Sequence, residues 1–299
     1  MFTLLVPAAA GLAACRAPRA VASREVVDVG VQVSVTPPRA PAGHPLAVRY
    51  EWRVGPTFRN EARPYRAFAH FVTSDATILV LDDHVPDPDP RTWQPGTTYT
   101  ETHVVFPPRQ FPGPLRVHVG LLDPDTGRRA VLRGQDVHET SYVAASIALD
   151  RHGPLETRFF SGFSAPWSDA ERPFDVSRWM YRQGVVSCGN PRADAVFFLS
   201  GQAHVPAARL RMAVGRVAYQ YTSRNAVPFT IAARLSREAL GDEAWTDISW
   251  TVDGVDEGMG GRRESLLIEH AALVPAADVA PEVLDAVTVL ADDSAATSP

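Results

Sequence analysis

Lysine is absent from the 299-residue sequence, so all 29 basic residues are arginine. Without lysine, the chain cannot use a Schiff-base lysine, the lysine of a phosphate-binding loop or a Ser-Lys dyad. The formal net charge of −5 is small. The arginine excess, together with abundant alanine and proline, indicates a base-composition bias rather than a basic surface. We therefore expect no nucleic-acid partner.

Recognisable hydrolase motifs are also missing from the sequence. The nucleophile motif Gly-x-Ser-x-Gly does not occur, although it is typical of α/β-hydrolases. No particular pair of carboxylates stands out for glycoside cleavage, in which two acids flank the scissile bond. We therefore predict a non-catalytic protein with no cofactor, and a hydrolase is the less favoured alternative.

Proline and glycine, by contrast, are abundant, with 26 and 20 residues respectively. These numbers are too high for a mainly helical protein, and a hydrophobic fraction of 45% is too high for a disordered one. Both observations fit a turn-rich, all-β protein. The chain is long enough for two domains that each bury a core.

Residues 1–14 form an apolar segment rich in small residues. The segment is shorter than the ~20 apolar residues that a bilayer span requires, but it is typical of the apolar part of a secretory signal peptide. We therefore predict that residues 1–14 are a signal peptide and that the mature chain lies outside the cytoplasm.

The end of this segment, Leu12-Ala-Ala-Cys15, resembles the lipobox of bacterial lipoproteins. The resemblance implies that Cys15 is lipidated and that the lipid anchors the protein to a bacterial membrane. The residues that follow are small and polar, so residues 15–25 are predicted to be a flexible tether. An ordinary secretory signal followed by an unrelated cysteine is the alternative. Only one other cysteine exists, so if Cys15 is lipidated, Cys188 has no disulfide partner and is predicted to be a buried thiol.

Residues 26–150 have the pattern of a first antiparallel β-sandwich. Alternating valines from Val27 to Val35 indicate a half-buried strand. Further β-patterned runs cover residues 46–54, 65–73, 77–81, 98–106, 115–122 and 142–149. The motifs Phe68-Ala-His70, Trp93-Gln-Pro-Gly96 and Val119-Gly-Leu-Leu-Asp123 resemble those of Ig-like modules on bacterial surface proteins and membrane glycosyltransferases. The resemblance implies an Ig-like sandwich and specifies no activity.

Residues 155–275 continue the β pattern. The runs cover residues 184–188, 195–202, 209–217, 229–235, 245–252 and 264–274. The last run fits a strand or a helix by periodicity, and we favour a strand because its surroundings are β. An aromatic-Gly-Phe opening, an Arg-Trp pair and a Leu-Ser-Gly strand resemble carbohydrate-binding-like jelly-roll domains, which implies a second antiparallel β-sandwich. Residues 276–299 are predicted to hold a short helix beginning near Pro281 and a disordered tail.

Aromatic and arginine residues are concentrated in residues 158–182. Flat aromatic rings beside guanidinium groups suit sugar rings or an apolar protein partner, and burial of most of these rings in a core is the alternative. The candidate binding residues are Trp167, Arg178, Trp179, Tyr181 and Arg182. We therefore predict a membrane-anchored, extracytoplasmic binding protein for envelope glycans. An accessory subunit that docks on an integral membrane protein complex is the alternative.

Two sets of residues are candidate metal ligands. Carboxylates in the acidic segment 82–89 could supply the oxygen ligands that Ca²⁺ prefers, but its prolines favour a solvated loop. These carboxylates belong to Asp82, Asp83, Asp87 and Asp89. His70, His103 and His118 fall on predicted strands, and a zinc site would need them on one face. His118 is out of phase with its apolar neighbours, so we predict scattered histidines and no metal site.

Overall fold

The computed structural model describes most of the chain between Val26 and Asp293. The described residues are 26–59, 63–133, 136–138, 141–151, 156–166, 177–203, 207–223, 228–253, 256–257, 263–264 and 266–293. The predicted signal peptide, Cys15, the tether and Trp167 lie outside these ranges, as do residues 294–299 of the predicted tail. Among the described helices, none is long and apolar enough to cross a membrane.

The N-terminal half of the chain, residues 26–151, forms two sheets. Its strands are β1 (Val26–Thr36), β2 (Arg39–Pro41), β3 (Leu46–Val54), β4 (Arg66–Val72), β5 (Ile78–Leu81), β6 (Thr98–Val105), β7 (Gly113–Asp123), β8 (Arg128–Arg129), β9 (Val131–Arg133), β10 (Asp136–His138) and β11 (Ser141–Asp150), with a 3-10 turn at Pro90–Thr92. The strand order is β6-β3-β1-β9 in the first sheet and β10-β11-β7-β4-β5 in the second.

The two sheets of the N-terminal half share one apolar core. Alternation along β3 buries Val48, Tyr50 and Trp52 on a single face, as the period of two requires. Phe71 of β4 and Val117 of β7 belong to the same core from the opposite sheet. Full burial of each such side chain contributes about 1.5–3 kcal/mol. The predicted β-sandwich architecture is therefore confirmed for this half, and most predicted strands agree with the observed ones to within a few residues.

The C-terminal half, residues 156–293, is also mainly β. Its strands are β12 (Thr157–Phe163), β13 (Arg178–Gly189), β14 (Ala195–Ala203), β15 (Arg209–Val214), β16 (Val217–Thr222), β17 (Pro228–Leu235), β18 (Trp245–Asp253), β19 (Asp256–Glu257), β20 (Arg263–Glu264), β21 (Leu266–Pro275) and β22 (Thr288–Leu290). Its helices are α1 (Arg237–Leu240), α2 (Pro281–Asp285) and a 3-10 turn at Ala276–Asp278. The strand favoured over a helix at 264–274 and the short helix near Pro281 are both confirmed.

Most strands of the C-terminal half belong to one curled sheet. Its order is β16-β15-β18-β13-β21-β14-β17-β22, with β12 added beside β13. An antiparallel bridge between Tyr219 and Asp292 joins β16 to the segment after β22, so the two edges of the sheet meet. The curled sheet encloses a second core, in which the Phe197 and Trp250 ring centroids are 5.5 Å apart. Because the edges meet, fewer backbone N–H and C=O groups are left unpaired, and unpaired sheet edges promote aggregation.

A third apolar cluster joins the two halves. Ala47 and Phe106 of the N-terminal half pack with Phe198, Val274 and Val283 of the C-terminal half. β14 is buried on both faces, because Phe197 faces the interior of the curled sheet while Phe198 faces this cluster. The interface therefore holds β6 of one half beside β14 and β21 of the other.

Candidate functional site

A groove of about 880 Å³ lies between the two halves of the chain. One wall comes from β5 and β6, and the other from β16, β17, β21, β22 and the loop after α2. Hydroxyl and amide side chains line much of it, namely Thr102, Ser200, Gln220, Thr222, Thr230 and Thr288. Tyr221 and Phe229 border it, with ring centroids 5.3 Å apart, but Phe229 is buried and both rings pack in the second core. The volume lies within the range of about 300–1,000 Å³ that is typical of ligand sites.

A network of ionisable side chains lies beside this groove, where β5 and β6 are the adjacent edge strands of the two sheets. Asp82 follows β5 and accepts a hydrogen bond from the Tyr50 hydroxyl at 2.7 Å. Nδ1 of His103 lies 3.0 and 3.1 Å from the two Asp82 carboxylate oxygens. Nδ1 of His84 donates to the backbone carbonyl of Asp82 at 2.7 Å. Asp82 therefore holds both imidazoles and links the two sheets.

Glu101 occupies the opposite side of the two imidazoles. Its Oε1 atom lies 3.1 Å from Nε2 of His84, and its Oε2 atom lies 3.6 Å from Nε2 of His103. The Trp52 indole N–H donates to Oε1 at 2.9 Å, and the backbone N–H of Asp87 donates to Oε2 at 2.8 Å. Only 6% of the Glu101 side chain is exposed. Its orientation is therefore fixed by the strand that carries it and by two donors.

The electrostatics of the network favour charged side chains despite their burial. Burial alone would lower the pKa of His103, but hydrogen bonds to Asp82 and Glu101 raise it to about 10. Burial opposes ionisation of Asp82 and Glu101, yet their bonds to His103 outweigh this effect and lower the pKa of both carboxyl groups. The pKa of Tyr50 is raised well above its ordinary value by burial and by Asp82. The network therefore contains ion pairs between side chains that are largely shielded from solvent.

His270 of β21 contributes to the C-terminal wall of the groove and also lines a smaller cavity of about 220 Å³. Phe106 stacks on its imidazole, with ring centroids 5.0 Å apart and planes inclined by 21°. Burial lowers the pKa of His270 to about 4. The His270 imidazole is therefore neutral at neutral pH.

The carboxylates of the acidic segment have separate partners. Asp83 Oδ1 lies 3.3 Å from His70 Nε2 and accepts from the backbone N–H of Ala69 at 3.2 Å. Asp89 binds the Arg91 side chain and its backbone N–H. Asp82 faces the two imidazoles. The structure therefore does not bring Asp82, Asp83 and Asp89 together as ligands of one calcium ion, and Asp87 is an exposed residue.

The three histidines considered for zinc are also separated into two places. His70 and His118 lie opposite each other on β4 and β7, whereas His103 lies on β6 of the other sheet. Among the described residues, His103 instead joins Asp82 and His84 in a group whose candidate ligand atoms all lie within 4.8 Å of one another. This group is the place where the described chain could hold a metal ion.

The predicted aromatic and arginine cluster lies apart from the groove. Arg178, Trp179, Tyr181 and Arg182 are all on β13, where the alternation that buries Met180 directs its two neighbours to the other face. The Arg178 guanidinium lies 4.9 Å from the Phe159 ring centroid. Arg182 is exposed, while Trp179 and Tyr181 are half-buried. Burial of aromatic rings accounts for part of the cluster, because Phe159 and Phe163 pack against the second core.

The sequence contains a signal for the network that belongs to no recognised motif. Its members form pairs two positions apart, Tyr50 with Trp52, Asp82 with His84 and Glu101 with His103. Residues two apart on a strand share a face. On β6, Glu101 and His103 are in phase with the buried Val105, so two ionisable groups point inward where apolar groups are expected.

Comparisons with known proteins add little to this geometry. No family model matches the chain, and no curated protein matches it. Among solved structures, a carbohydrate-binding module of the β-sandwich superfamily is 10% identical, covers 84% of this chain and 99% of its own, and has a TM-score of 0.25. The secreted serine protease VesC from Vibrio cholerae is 10% identical over 82% of this chain and 51% of its own, with a TM-score of 0.23. Both TM-scores are too low to establish a common fold or function.

Proposed function

We propose that this protein is a non-catalytic, extracytoplasmic binding protein that takes a carbohydrate into the groove between its two halves. The observation that carries the proposal is the polar lining of the groove. Hydroxyl and amide side chains line it on both walls, among them Thr102 on one wall and Gln220 and Thr288 on the other. Sugars present many hydroxyl groups, so a groove lined in this way can hydrogen-bond them from two sides.

The position of the groove also supports this proposal. Its walls are strands anchored in two separate cores, and the cluster around Phe106 and Phe198 holds these walls together. A binding site between rigid elements loses little entropy when the ligand binds. The Ig-like character of the N-terminal half and the division into two domains belong to the same proposal. The sequence predicts a jelly-roll-like sandwich for the C-terminal half, whereas most of its strands form one curled sheet whose edges meet.

Anchoring belongs to the same proposal and depends on the N-terminal sequence alone. Lipidation of Cys15 would tether the groove near the surface of a bacterial membrane, where envelope glycans are within reach. The alternative, an accessory subunit of an integral membrane complex, uses the same anchor. Phe160, with 79% of its surface exposed on β12, is the most exposed large hydrophobic residue in the described part of the chain, so it is the first residue to substitute in a test of that alternative.

A matched pair of substitutions on β6 tests the groove. Thr102 and Thr100 are both exposed and lie two positions apart on one strand, but only Thr102 lines the groove. The Thr102→Trp substitution is expected to occupy the space and weaken binding at least tenfold, a change of about 1.4 kcal/mol. The Thr100→Trp substitution adds the same side chain outside the groove and should leave the affinity unchanged.

The assay is binding of the full chain to an array of bacterial envelope polysaccharides and their fragments, followed by calorimetry with the strongest glycan. Equal glycan affinity of the Thr102→Trp and Thr100→Trp variants would contradict binding in the groove. Loss of glycan binding in Trp179→Ala would place the binding site on β13 instead. No glycan binding, combined with co-purification of membrane proteins in mild detergent, would favour the accessory-subunit alternative.

A further inference from the structure

The two imidazoles beside the groove share an unusual arrangement of partners. Nδ1 of each ring faces Asp82. Nδ1 of His84 donates to the Asp82 backbone carbonyl at 2.7 Å, and Nδ1 of His103 lies 3.0 Å from the Asp82 carboxylate. Nε2 of each ring faces the carboxylate of Glu101, at 3.1 and 3.6 Å. The ring centroids of His84 and His103 are only 4.0 Å apart. Asp82 therefore orients both rings, and Nε2 of each ring is directed at Glu101.

We propose that Nε2 of His84, Nε2 of His103 and the carboxylate of Glu101 form a binding site for a divalent transition-metal ion of the zinc type. In this site, Asp82 orients the imidazoles and is not itself a ligand. Ligating histidines typically donate the other ring N–H to a carboxylate or a backbone carbonyl, which fixes the tautomer. His103 and His84 have one partner of each kind.

Two distances between candidate ligand atoms are close to those of a zinc site. Bond lengths of about 2.0–2.2 Å in a tetrahedral zinc site place neighbouring ligand atoms about 3.3–3.5 Å apart. Oε1 of Glu101 lies 3.1 Å from Nε2 of His84, and Oε2 of Glu101 lies 3.6 Å from Nε2 of His103, on either side of that range. Each carboxylate oxygen therefore faces a different imidazole.

Asp82 is the other carboxylate that could complete the site, since its candidate ligand atom and those of the two histidines lie within 4.8 Å of one another. Coordination through Asp82 would use the Nδ1 atoms, because these are the ring atoms that face it. Nδ1 of His84 is 3.9 Å from the Asp82 carboxylate but donates to the Asp82 carbonyl at 2.7 Å. Ligation there would break that bond, so Glu101 is the better ligand.

Glu101 itself is held as a metal-binding carboxylate would be. Each of its oxygens accepts one hydrogen bond from elsewhere in the protein, from the Trp52 indole and from the Asp87 backbone. A carboxylate oxygen has two lone-pair directions, so each oxygen retains one for the imidazole side. Hydrogen-bonded carboxylates of this type are usual around bound metals.

The placement of the ring nitrogen atoms also suits a cation. Nδ1 of each imidazole has an oxygen partner on Asp82, which leaves Nε2 of each ring as the atom directed at Glu101. Two imidazoles and one carboxylate suit zinc, nickel, copper or iron rather than Ca²⁺ or Mg²⁺.

Metal binding is tested on the full chain after treatment with a chelator. Equilibrium dialysis against Zn²⁺ and titration with Co²⁺ followed by visible absorption should show one equivalent bound at this site. Glu101→Gln and His84→Gln are expected to weaken binding beyond detection, and Asp82→Asn to weaken it about 10–100-fold. His70→Gln is the matched control, because His70 lies on β4 and pairs with Asp83, which is not a proposed ligand. This variant should bind Zn²⁺ like the wild type.

A measurement on the unaltered protein covers the case in which a variant does not fold. Paramagnetic Co²⁺ should shift the imidazole resonances of two histidines strongly and leave those of the others near their usual positions. Wild-type protein that takes up no Zn²⁺ or Co²⁺, or a His84→Gln variant that binds Zn²⁺ like the wild type, would overturn the proposal. Zn²⁺ uptake is measured without glycan, and glycan binding is measured with the chelator present, so this test and the glycan test can fail independently.

Discussion

Removal of the Glu101 carboxylate is expected to destabilise the N-terminal half strongly. Glu101→Ala leaves the indole N–H of Trp52, a residue only 1% exposed, without its acceptor, which costs about 1–3 kcal/mol. It also removes the carboxylate that faces two imidazoles, and breaking a buried ion pair typically costs about 3–5 kcal/mol. Because the two costs overlap, we expect a loss of about 3–5 kcal/mol, a large part of the ~5–15 kcal/mol typical of folded proteins.

The assay is urea unfolding followed by tryptophan fluorescence, with a chelator present so that bound metal does not contribute. Glu101→Gln retains an oxygen acceptor for Trp52 and should lose only about 1–3 kcal/mol. The control is Glu51→Ala on β3, whose carboxylate is partly exposed and binds Arg53, with an expected change below about 1 kcal/mol. A Glu101→Ala variant that loses no more than the Glu51 control would refute the view that the network fastens the two sheets together.

Three further predictions concern the cores and the groove. Phe198 is fully buried in the cluster between the halves, so Phe198→Ala should lower the free energy of unfolding by about 3–5 kcal/mol, and a loss below about 1 kcal/mol in urea would contradict that packing. His270 has a pKa of about 4 when folded and 6.5 ordinarily, so the unfolded state binds its proton first and stability should fall between those values as the pH decreases, by up to ~3 kcal/mol. The melting temperature of His270→Phe should lack that part of the decrease, and identical pH profiles for the two proteins would refute it. The Cys188 thiol is buried and burial raises its pKa to about 12, so in a Cys15→Ser variant a thiol reagent should label nothing in the native protein and one equivalent in guanidinium chloride, whereas rapid native labelling would contradict the burial.

The strands were largely predictable because their signals are local. The run at 46–54 coincides with β3, since alternating apolar residues and flanking turns determine both the strand and its buried face. The buried state of Cys188 also agrees with the sequence. The closure of the curled sheet was not predictable, because it depends on the parallel pairing of β17 with β22 and on the bridge between Tyr219 and Asp292. Those contacts join residues whose neighbours in the sequence give no sign of them.

The candidate site was harder to predict from the sequence than the fold was. The pairs Asp82 with His84 and Glu101 with His103 are visible as residues two apart, but their meeting requires β5 and β6 to be edge strands on the same side of the sandwich. Composition drew the prediction to Trp179 and Tyr181, whereas the groove is lined mainly by threonines and other residues that are unremarkable in the sequence. Binding at Trp179, Tyr181, Arg178 and Arg182 stays a prediction.

The central claim is that ligand binds between the two halves, and hydrogen–deuterium exchange of the full chain with its strongest array glycan tests it most directly. The account predicts slower exchange in β6 (Thr98–Val105), β16 (Val217–Thr222) and β22 (Thr288–Leu290), with no change in β13 (Arg178–Gly189). Slower exchange confined to β13, or unchanged exchange in β6 and β16 when the glycan is saturating, would contradict it.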